Sequence, residues 1–175
     1  MIIITAVGKD RPGMAHALAQ KLAQSGCNIE DTTMTRLSGE FAMILIVSPP
    51  QHIAPEEMMQ TLKPLENSHG LFINCRAIED SAEDEDGEAP RYLLSVYGPE
   101  RAGLVAQITG VLAQRNINIT DVQTRVASAG AAYIMLFEIE LPTGLDAQTL
   151  TASLEDAAHD IGAQVSLHAI ESETL

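Results

Sequence analysis

Apolar residues recur along the chain in two alternating patterns. Short runs rich in apolar and β-branched residues, such as residues 2–7 and 40–47, are bounded by glycine, proline or charged residues and predict strands. Other segments space apolar residues three or four positions apart, which predicts amphipathic helices. The clearest helical stripe lies in the second half and contains Leu104, Val105, Ile108, Val111 and Leu112.

The first half of the chain predicts the order strand, helix, strand, strand, helix, strand. The corresponding segments are 2–7, 12–24, 28–37, 40–47, 56–65 and 71–78. Pro12 is expected in the first turn of the first helix and Gly26 is expected to end it. A turn at Ser38 and Gly39 is expected to join the two middle strands.

The second half predicts the same order. Strands are expected at 91–96, 119–126, 132–141 and 164–170, with a turn at 128–130. The helical segments are the stripe that begins at Leu104 and a second stripe made of Leu150, Leu154, Ala157 and Ile161. Each half therefore predicts a βαββαβ unit of about 80 residues, a size that suits a small domain with its own core.

An internal repeat supports this division. At an offset of 90 positions, residues 8–31 match residues 98–121 at nine of 24 positions. The matching residues of the first copy are Gly8, Arg11, Gly13, Leu22, Ala23, Gln24, Asn28, Ile29 and Asp31. The order of elements favours an α+β fold of two tandem ferredoxin-like units, each a four-stranded antiparallel sheet with two helices on one face. The opposite sheet face then needs a cover, and the sister unit is the nearest candidate.

The charge is concentrated between the two predicted units. The chain of 175 residues has a net charge of −14, and residues 79–88 hold seven acids and no base. Residues 80–90 therefore predict a flexible acidic linker between unit 1 (1–79) and unit 2 (91–171). Neither half is basic, and the chain has three Tyr, three Phe and no Trp. Direct binding to DNA or RNA is not expected from this composition.

The composition also indicates where in the cell the protein is expected. The longest apolar runs, 41–47 and 131–137, are seven residues long, whereas a membrane-spanning helix needs about 20. The N-terminus has no pattern of an export signal, and the two cysteines, Cys27 and Cys75, both lie in the first half. A cytoplasmic protein without a disulfide framework is expected.

The repeated turn between the first strand and first helix of each unit is the first candidate site. It runs from Gly8 to Gly13 and again from Gly98 to Gly103. Unpaired backbone N–H groups and the helix dipole at such a turn suit a carboxylate or a phosphate. Asp10 or Glu100 could cap the helix that follows it or receive a ligand's ammonium group. The alternative is that these residues only shape the turn.

The second candidate is the strand entrance at Asn28, repeated at Asn118. An Asn side chain donates and accepts hydrogen bonds, which suits a zwitterion. It is also a common residue of turns with positive φ, and the two interpretations remain open. Arg11 and Arg101 recur in both copies and could neutralise a bound carboxylate, but a salt bridge to a neighbouring acid is equally compatible with the sequence.

The βαββαβ order, the Asp10-Arg11-Pro12-Gly13 turn and the Gly26-x-Asn28-Ile29 entrance resemble the ACT domain, a small-molecule-sensing module. Two such units resemble the group of glycine cleavage system transcriptional repressors. The resemblance implies an amino acid, glycine among the candidates, bound at an interface between units. It also implies control of transcription through a DNA-binding partner protein. The implied ligand-binding residues are Lys9, Asp10, Arg11, Pro12, Gly13, Met14, Asn28 and Ile29, with their repeats Pro99, Glu100, Arg101, Ala102, Gly103, Leu104, Asn118 and Ile119.

Other chemistry finds little support in the sequence. The five histidines have no metal-ligand spacing, and no catalytic or cofactor fingerprint occurs, so no metal, cofactor or catalytic residue is predicted. Three functions are weighed: an amino-acid-sensing regulator, a constitutive interaction module whose ligand sites have lapsed, and a small enzyme on the same scaffold. The regulator is favoured and the enzyme is the least supported. A homodimer is expected because each predicted sheet has open edges and an open face.

Overall fold

The structure is a computed structural model that describes residues 1–50, 53–78, 89–127 and 132–170. The predicted turn at 128–130 and residues 80–88 of the predicted linker lie outside the described residues. The chain divides into two compact units, Met1–Glu85 and Asp86–Leu175. Each unit has its own sheet, its own pair of helices and its own hydrophobic core.

Unit 1 contains four strands and two helices in the predicted order. They are β1 (Ile2–Lys9), α1 (Met14–Gln24), β2 (Asn28–Leu37), β3 (Glu40–Ser48), α2 (Pro55–His69) and β4 (Leu71–Ala77). The strands form one antiparallel sheet in the order β2-β3-β1-β4. A bulge between Ile29 and Asp31 shifts the register of β2 against β3.

Unit 2 repeats this arrangement. Its elements are β5 (Arg91–Gly98), α3 (Leu104–Ala113), β6 (Asn118–Ala127), β7 (Ala132–Glu140), α4 (Ala147–His159) and β8 (Gln164–Ala169). The sheet order is β6-β7-β5-β8, all antiparallel, with the same bulge between Ile119 and Asp121. The predicted α+β fold of two ferredoxin-like units is confirmed.

Two helix boundaries differ from the sequence prediction. The prediction of Pro12 in the first turn of α1 is wrong, because Gly13 is the N-cap residue, with φ 95°, and the helix begins at Met14. The second helix does not end at residue 65. It passes through Pro64 and ends at His69, where Gly70 takes the left-handed conformation with φ 65°. In both places a glycine with positive φ sets the boundary.

Successive side chains of each strand point to opposite faces of the sheet, and this alternation explains how the two hydrophobic cores form. One face of each sheet packs against the two helices, and on β3 the residues that are buried there are Phe41, Met43, Leu45 and Val47. In unit 2 the equivalent strand β7 buries Met135, Phe137 and Ile139. Residues of the opposite sheet face are more exposed, with Ile44 exposed by 42% and Phe72 by 73%. Both helices of a unit therefore stabilise the same face of its sheet.

The two cysteines both lie in unit 1 and differ in how far their side chains are exposed to solvent. Both are free thiols; Cys27 is half-buried, and Cys75 is buried in the core. Burial raises the pKa of the Cys75 thiol to about 11, so at pH 8 only a very small fraction is thiolate. We expect a thiol reagent at pH 8 to modify Cys27 in the folded protein and to modify Cys75 only after unfolding.

This prediction is checked by the labelling stoichiometry with and without denaturant. The control is Cys27→Ser, which should abolish labelling of the folded protein. Equal rates for both thiols in the folded protein would contradict the buried position of Cys75.

Candidate functional site

The turn between β1 and α1 is attached to the β2–β3 hairpin. The Asp10 backbone N–H donates to the Gly39 carbonyl oxygen at 2.9 Å, and the Arg36 guanidinium contacts the Asp10 carboxylate at 3.4 Å. No side chain of the described residues caps α1. The possibility that Asp10 caps the helix is therefore wrong. Its carboxylate faces the hairpin strand β2 instead of the N–H groups of the helix.

The start of α1 presents open backbone donors. The first helical hydrogen bond is the one from the Ala17 N–H to the Gly13 carbonyl oxygen, at 2.8 Å. The N–H groups of Met14, Ala15 and His16 precede it, so they cannot donate within the helix. The Met14 side chain itself is buried in the core. This end of the helix can therefore offer backbone groups to an anion, as the sequence predicted, while the Met14 side chain serves packing.

The exposed residues of the β1–α1 turn differ in what their side chains contact. Lys9 ends β1, and Lys9, Arg11 and Pro12 are all exposed. The Arg11 guanidinium lies against the α2–β4 turn, where a Cβ on Gly70 would stand 3.4 Å from Arg11 Nη2. Among the described residues the two ion pairs are Arg36–Asp10 and Arg91–Glu138. Arg11 and Arg101 thus form no salt bridge with a described acid, and that alternative is wrong for this part of the chain.

The equivalent turn of unit 2 borders an open depression. Gly103, with φ 91°, is the N-cap residue of α3, and no side chain in the described part of the chain caps this helix either. Pro99 is half-buried beside the turn and Leu104 is buried in the core. The depression is lined by Glu100, Arg101, Ala102, Gly103, Val105, Ala106 and Tyr133. Four of the predicted residues therefore line one concave surface.

Tyr133 is a lining residue that the sequence analysis did not find. It lies near the start of β7 and pairs with Gly98, the last residue of β5. No motif marks it, because its place depends on the register between two strands far apart in the sequence. The repeat could have pointed to it only if the β5–β7 register had been known.

The second candidate element lies at the other end of each sheet. Asn28 is opposite Ser48 in the register of β2 and β3, whereas Gly8 is opposite Phe41. Seven residues of β3 separate these levels, which corresponds to about 23 Å of strand. A ligand held by the turn of one unit therefore does not reach the Asn side chain of the same unit. The structure does not bring the two predicted elements of a unit together.

The Asn side chains bind carboxylates of their own unit. Asn28 Nδ2 donates to Glu30 Oε1 at 2.9 Å, and Asn118 Nδ2 donates to Glu140 Oε2 at 2.9 Å. Hydrogen bonds from Asn28 and then Ser48 hold the pKa of the Glu30 carboxyl below its ordinary value. Both Asn residues begin extended strands, so the alternative of a turn with positive φ at Asn28 is wrong. Gly26 and Asn116 take that conformation two residues earlier.

Ile29 and Ile119 pack partly against the cores of their units. Their side chains are therefore occupied by packing, which leaves the backbone as the part of these residues that a ligand could contact. Within the described ranges, no group of three or more His, Cys, Asp or Glu side chains could hold a metal ion. None of the helices in these ranges is both long and apolar enough to cross a membrane.

Comparison with known proteins agrees with this geometry. Two ACT-domain family models match the chain, one over residues 1–76 and the other over residues 92–152. The glycine cleavage system transcriptional repressor of Escherichia coli is 22% identical over 174 residues, covering 97% of this chain and 90% of that protein. A UPF0237 protein of Methanocaldococcus jannaschii is 40% identical over 75 residues, covering 43% of this chain and 82% of that protein.

Solved structures give the same fold over nearly the whole chain. A crystal structure of an unknown protein from Galdieria sulphuraria has a TM-score of 0.80 with 25% identity, covering 97% of this chain and 98% of that chain. A protein provisionally named a glycine cleavage system transcriptional repressor has a TM-score of 0.72 with 24% identity, covering 98% and 97%. The resemblance of both repeats to ACT domains is confirmed, and the chain belongs to the ACT-domain family as a tandem of two ACT domains.

Proposed function

We propose that this protein is a non-enzymatic, cytoplasmic regulator in which the ACT domains bind a small amino acid, with glycine as the first candidate. Binding of the amino acid changes the affinity of this protein for a DNA-binding transcription factor. The protein does not bind DNA itself. The observation that carries this proposal is the uncapped helix N-terminus at the β–α turn of both ACT domains. The similarity to a transcriptional repressor over 97% of this chain supports the regulatory part.

The chemistry of the turns suits a zwitterion. Backbone N–H groups at a helix start and an Arg side chain favour a carboxylate, and an adjacent acid favours an ammonium group. Each turn carries both an acid and a base, Asp10 and Arg11 in the first and Glu100 and Arg101 in the second. The proposed ligand contacts are therefore the turn residues 9–14 and 99–104. Asn28 and Asn118 remain candidates only for a ligand that approaches the opposite end of a sheet.

The proposal of a partner protein follows from charge. The chain has 24 acidic and 10 basic residues, so it would repel the phosphate backbone of DNA. A DNA-binding partner would supply the contacts that this chain lacks. Among the described residues that line the unit 2 depression there is no Ser, Cys or His, which supports a binding role over nucleophilic catalysis.

A homodimer is part of the proposal. The edge strand β2 exposes most of its ten residues, among them Met34 by 54% and Leu37 by 72%. Such an edge can pair with a second copy. Light scattering at micromolar concentration should give twice the chain mass of 18.8 kDa, and the mass of a single chain would contradict this part.

The main test is a thermal-shift screen of the protein against all twenty amino acids. A ligand present at 100 times its Kd stabilises the folded state by about 2.7 kcal/mol, which predicts a rise of roughly 5–10 °C in Tm. Ammonium acetate at the same concentration is the control, since it supplies both charges on separate ions. Tm values that do not change with any amino acid would favour the alternative, a constitutive interaction module with lapsed ligand sites.

The regulatory mechanism has its own test. If the amino acid changes the affinity for the transcription factor, the transcription factor must change the affinity for the amino acid by the same factor. Calorimetric titrations of the amino acid with and without the partner should therefore give different Kd values. Identical values would contradict the regulatory mechanism while leaving amino-acid binding intact.

A further inference from the structure

The face of the unit 1 sheet opposite its helices, here called the outer face, carries a continuous apolar surface. Its apolar residues are Ile3, Val7, Ala42, Ile44, Ile46 and Phe72. Val7 stands between Ala42 and Phe72 in one row across β3, β1 and β4. Val7 is exposed by 45% and Phe72 by 73%. A contiguous exposed surface of this kind is typical of a site that binds another protein.

Charged residues lie at both ends of this surface. At one end Lys9 of β1 pairs with Glu40 of β3. At the other end Asp31 of β2 and Arg76 of β4 are the outer members of the row that passes through Ile3. All four charged side chains are exposed. At each end the acid therefore lies on the β2–β3 side of the sheet and the base on the β1–β4 side.

This distribution of charge is complementary to itself. A two-fold axis parallel to the strands, between β1 and β3, would place β1 of one copy on β3 of the other and β2 on β4. Glu40 would then face Lys9 of the second copy, and Asp31 would face Arg76 of the second copy. The apolar rows would meet between these charges. Two sheets commonly pack in this way, about 10 Å apart and with nearly aligned strands.

The same face of a second copy fits better than other parts of the chain. In unit 2 the pair equivalent to Ile46 and Ile3 is Glu138 and Leu93, and the Arg91 guanidinium donates to Glu138 at 2.9 Å. Packing that face on Ile3 would remove a charged pair from water, which costs free energy. Residues 79–88 hold seven acids and no large apolar residue, so they do not suit an apolar surface either.

We propose that the outer face of unit 1 is a self-association surface, which binds the outer face of unit 1 of a second copy and has Phe72 as its main apolar contact. It is separate from the exposed edge of β2. Chains that are joined at the β2 edge would therefore assemble into groups of four through the outer face. The proposal does not depend on binding of an amino acid.

The size of the face indicates a weak association. The face spans four strands and about seven residues along β1, which gives about 19 by 23 Å. Two such faces bury about 900 Å² in total, less than the roughly 1,200 Å² at which stable interfaces begin. The association is therefore expected to depend on protein concentration.

The first test is sedimentation equilibrium of the full chain from about 10 μM to about 1 mM, the range in which weak interfaces form. The average mass of the wild-type chain should double over this range. Phe72→Ala should raise the Kd of this association about 10-fold or more, because each residue of a two-fold interface is present twice. Tyr97→Ala is the matched control in unit 2: Tyr97 is equivalent to Val7, is exposed by 53%, and should leave Kd unchanged.

A charge exchange tests the two-fold arrangement. Asp31→Arg and Arg76→Asp should each raise Kd about 2- to 5-fold for every ion pair that is replaced by two like charges. The double variant restores opposite charges across the interface, so its Kd should return to within about 2-fold of the wild-type value. Equal Tm values at micromolar concentration would show that all variants fold.

Three results would overturn the proposal. A wild-type mass that stays constant up to the highest concentration would leave the face to a different protein. An association that Phe72→Ala does not weaken would use another surface, and equal weakening by Tyr97→Ala would assign the unit 2 face as the partner. Failure of the double variant to restore association would contradict the two-fold arrangement on which the proposal is based.

Discussion

The substitution Phe137→Ala is expected to lower the free energy of unfolding of the second ACT unit by about 3–5 kcal/mol. Phe137 is fully buried at the middle of β7, where its ring faces the helices across the unit 2 core. Removing the ring loses its transfer from water and leaves a cavity that the surrounding strands cannot close completely. A loss of this size is comparable with the total stability of many small domains.

Denaturant unfolding followed by tyrosine fluorescence measures this effect, because the three tyrosines all belong to unit 2. Phe72→Ala is the matched control: the same atoms are removed at a residue of unit 1 that is 73% exposed. It should change stability by about 1 kcal/mol or less and leave the tyrosine transition in place. A loss under about 1 kcal/mol for Phe137→Ala would contradict its position in the core.

The substitution Gly8→Ala is expected to destabilise the first unit by about 1–3 kcal/mol, a cost typical of forced overpacking. An added Cβ would stand 2.6 Å from the Gly70 carbonyl oxygen, closer than van der Waals contact allows. That oxygen belongs to the backbone of the α2–β4 turn, so no side-chain rotation can relieve the clash. Gly98→Ala should act similarly in unit 2, where the Cβ would stand 2.7 Å from Ala163 Cβ.

Gly110→Ala is the control for these two substitutions. Gly110 lies within α3, and a Cβ there would meet nothing within 4 Å. Because Ala is a better helix former than Gly, this change should stabilise unit 2 by about 0.5–1 kcal/mol. Thermal and denaturant unfolding followed by circular dichroism measure all three variants. A neutral result for Gly8→Ala would show that the strand β1 and the α2–β4 turn are not in close contact.

The repeated glycines at the two ends of each turn have different structural roles. Gly8 and Gly98 are repeated because two backbone segments approach closely there, which is a reason of packing. Gly13 and Gly103 are repeated because each takes a positive φ at the start of a helix, in open space. Only the second pair borders the surface at which a ligand would be held, so the two pairs can be separated by substitution.

The elements that could be predicted from the sequence are those with local causes. The predicted strand at 28–37 agrees with β2 residue by residue, because its limits are set by the polar entrance at Asn28 and the Ser38-Gly39 turn. The helix limits were less accurate. They depend on Gly13 and Gly70 taking positive φ, and the sequence shows that a glycine is present but not which conformation it adopts.

Some features of the candidate site could also be predicted from the sequence, and others could not. The repeated turn, its glycine and its charged residues were found from the sequence because both copies carry them in register. Tyr133, the Arg36–Asp10 contact and the distance between the turn and Asn28 were not found. Each of these depends on strand pairing between segments distant in the chain, and such pairing leaves no local pattern in the sequence.

The amino-acid sequence by itself determined the duplication, the βαββαβ order, the acidic segment between the repeats and the family. These properties follow from short-range patterns and from similarity between the two halves. Only the tertiary structure decided which side chains of the neighbouring strands lie beside each turn. The register of β2 on β3, and of β6 on β7, places Arg36 beside the first turn and Val126 beside the second, because each strand pair brings together residues that the sequence keeps apart.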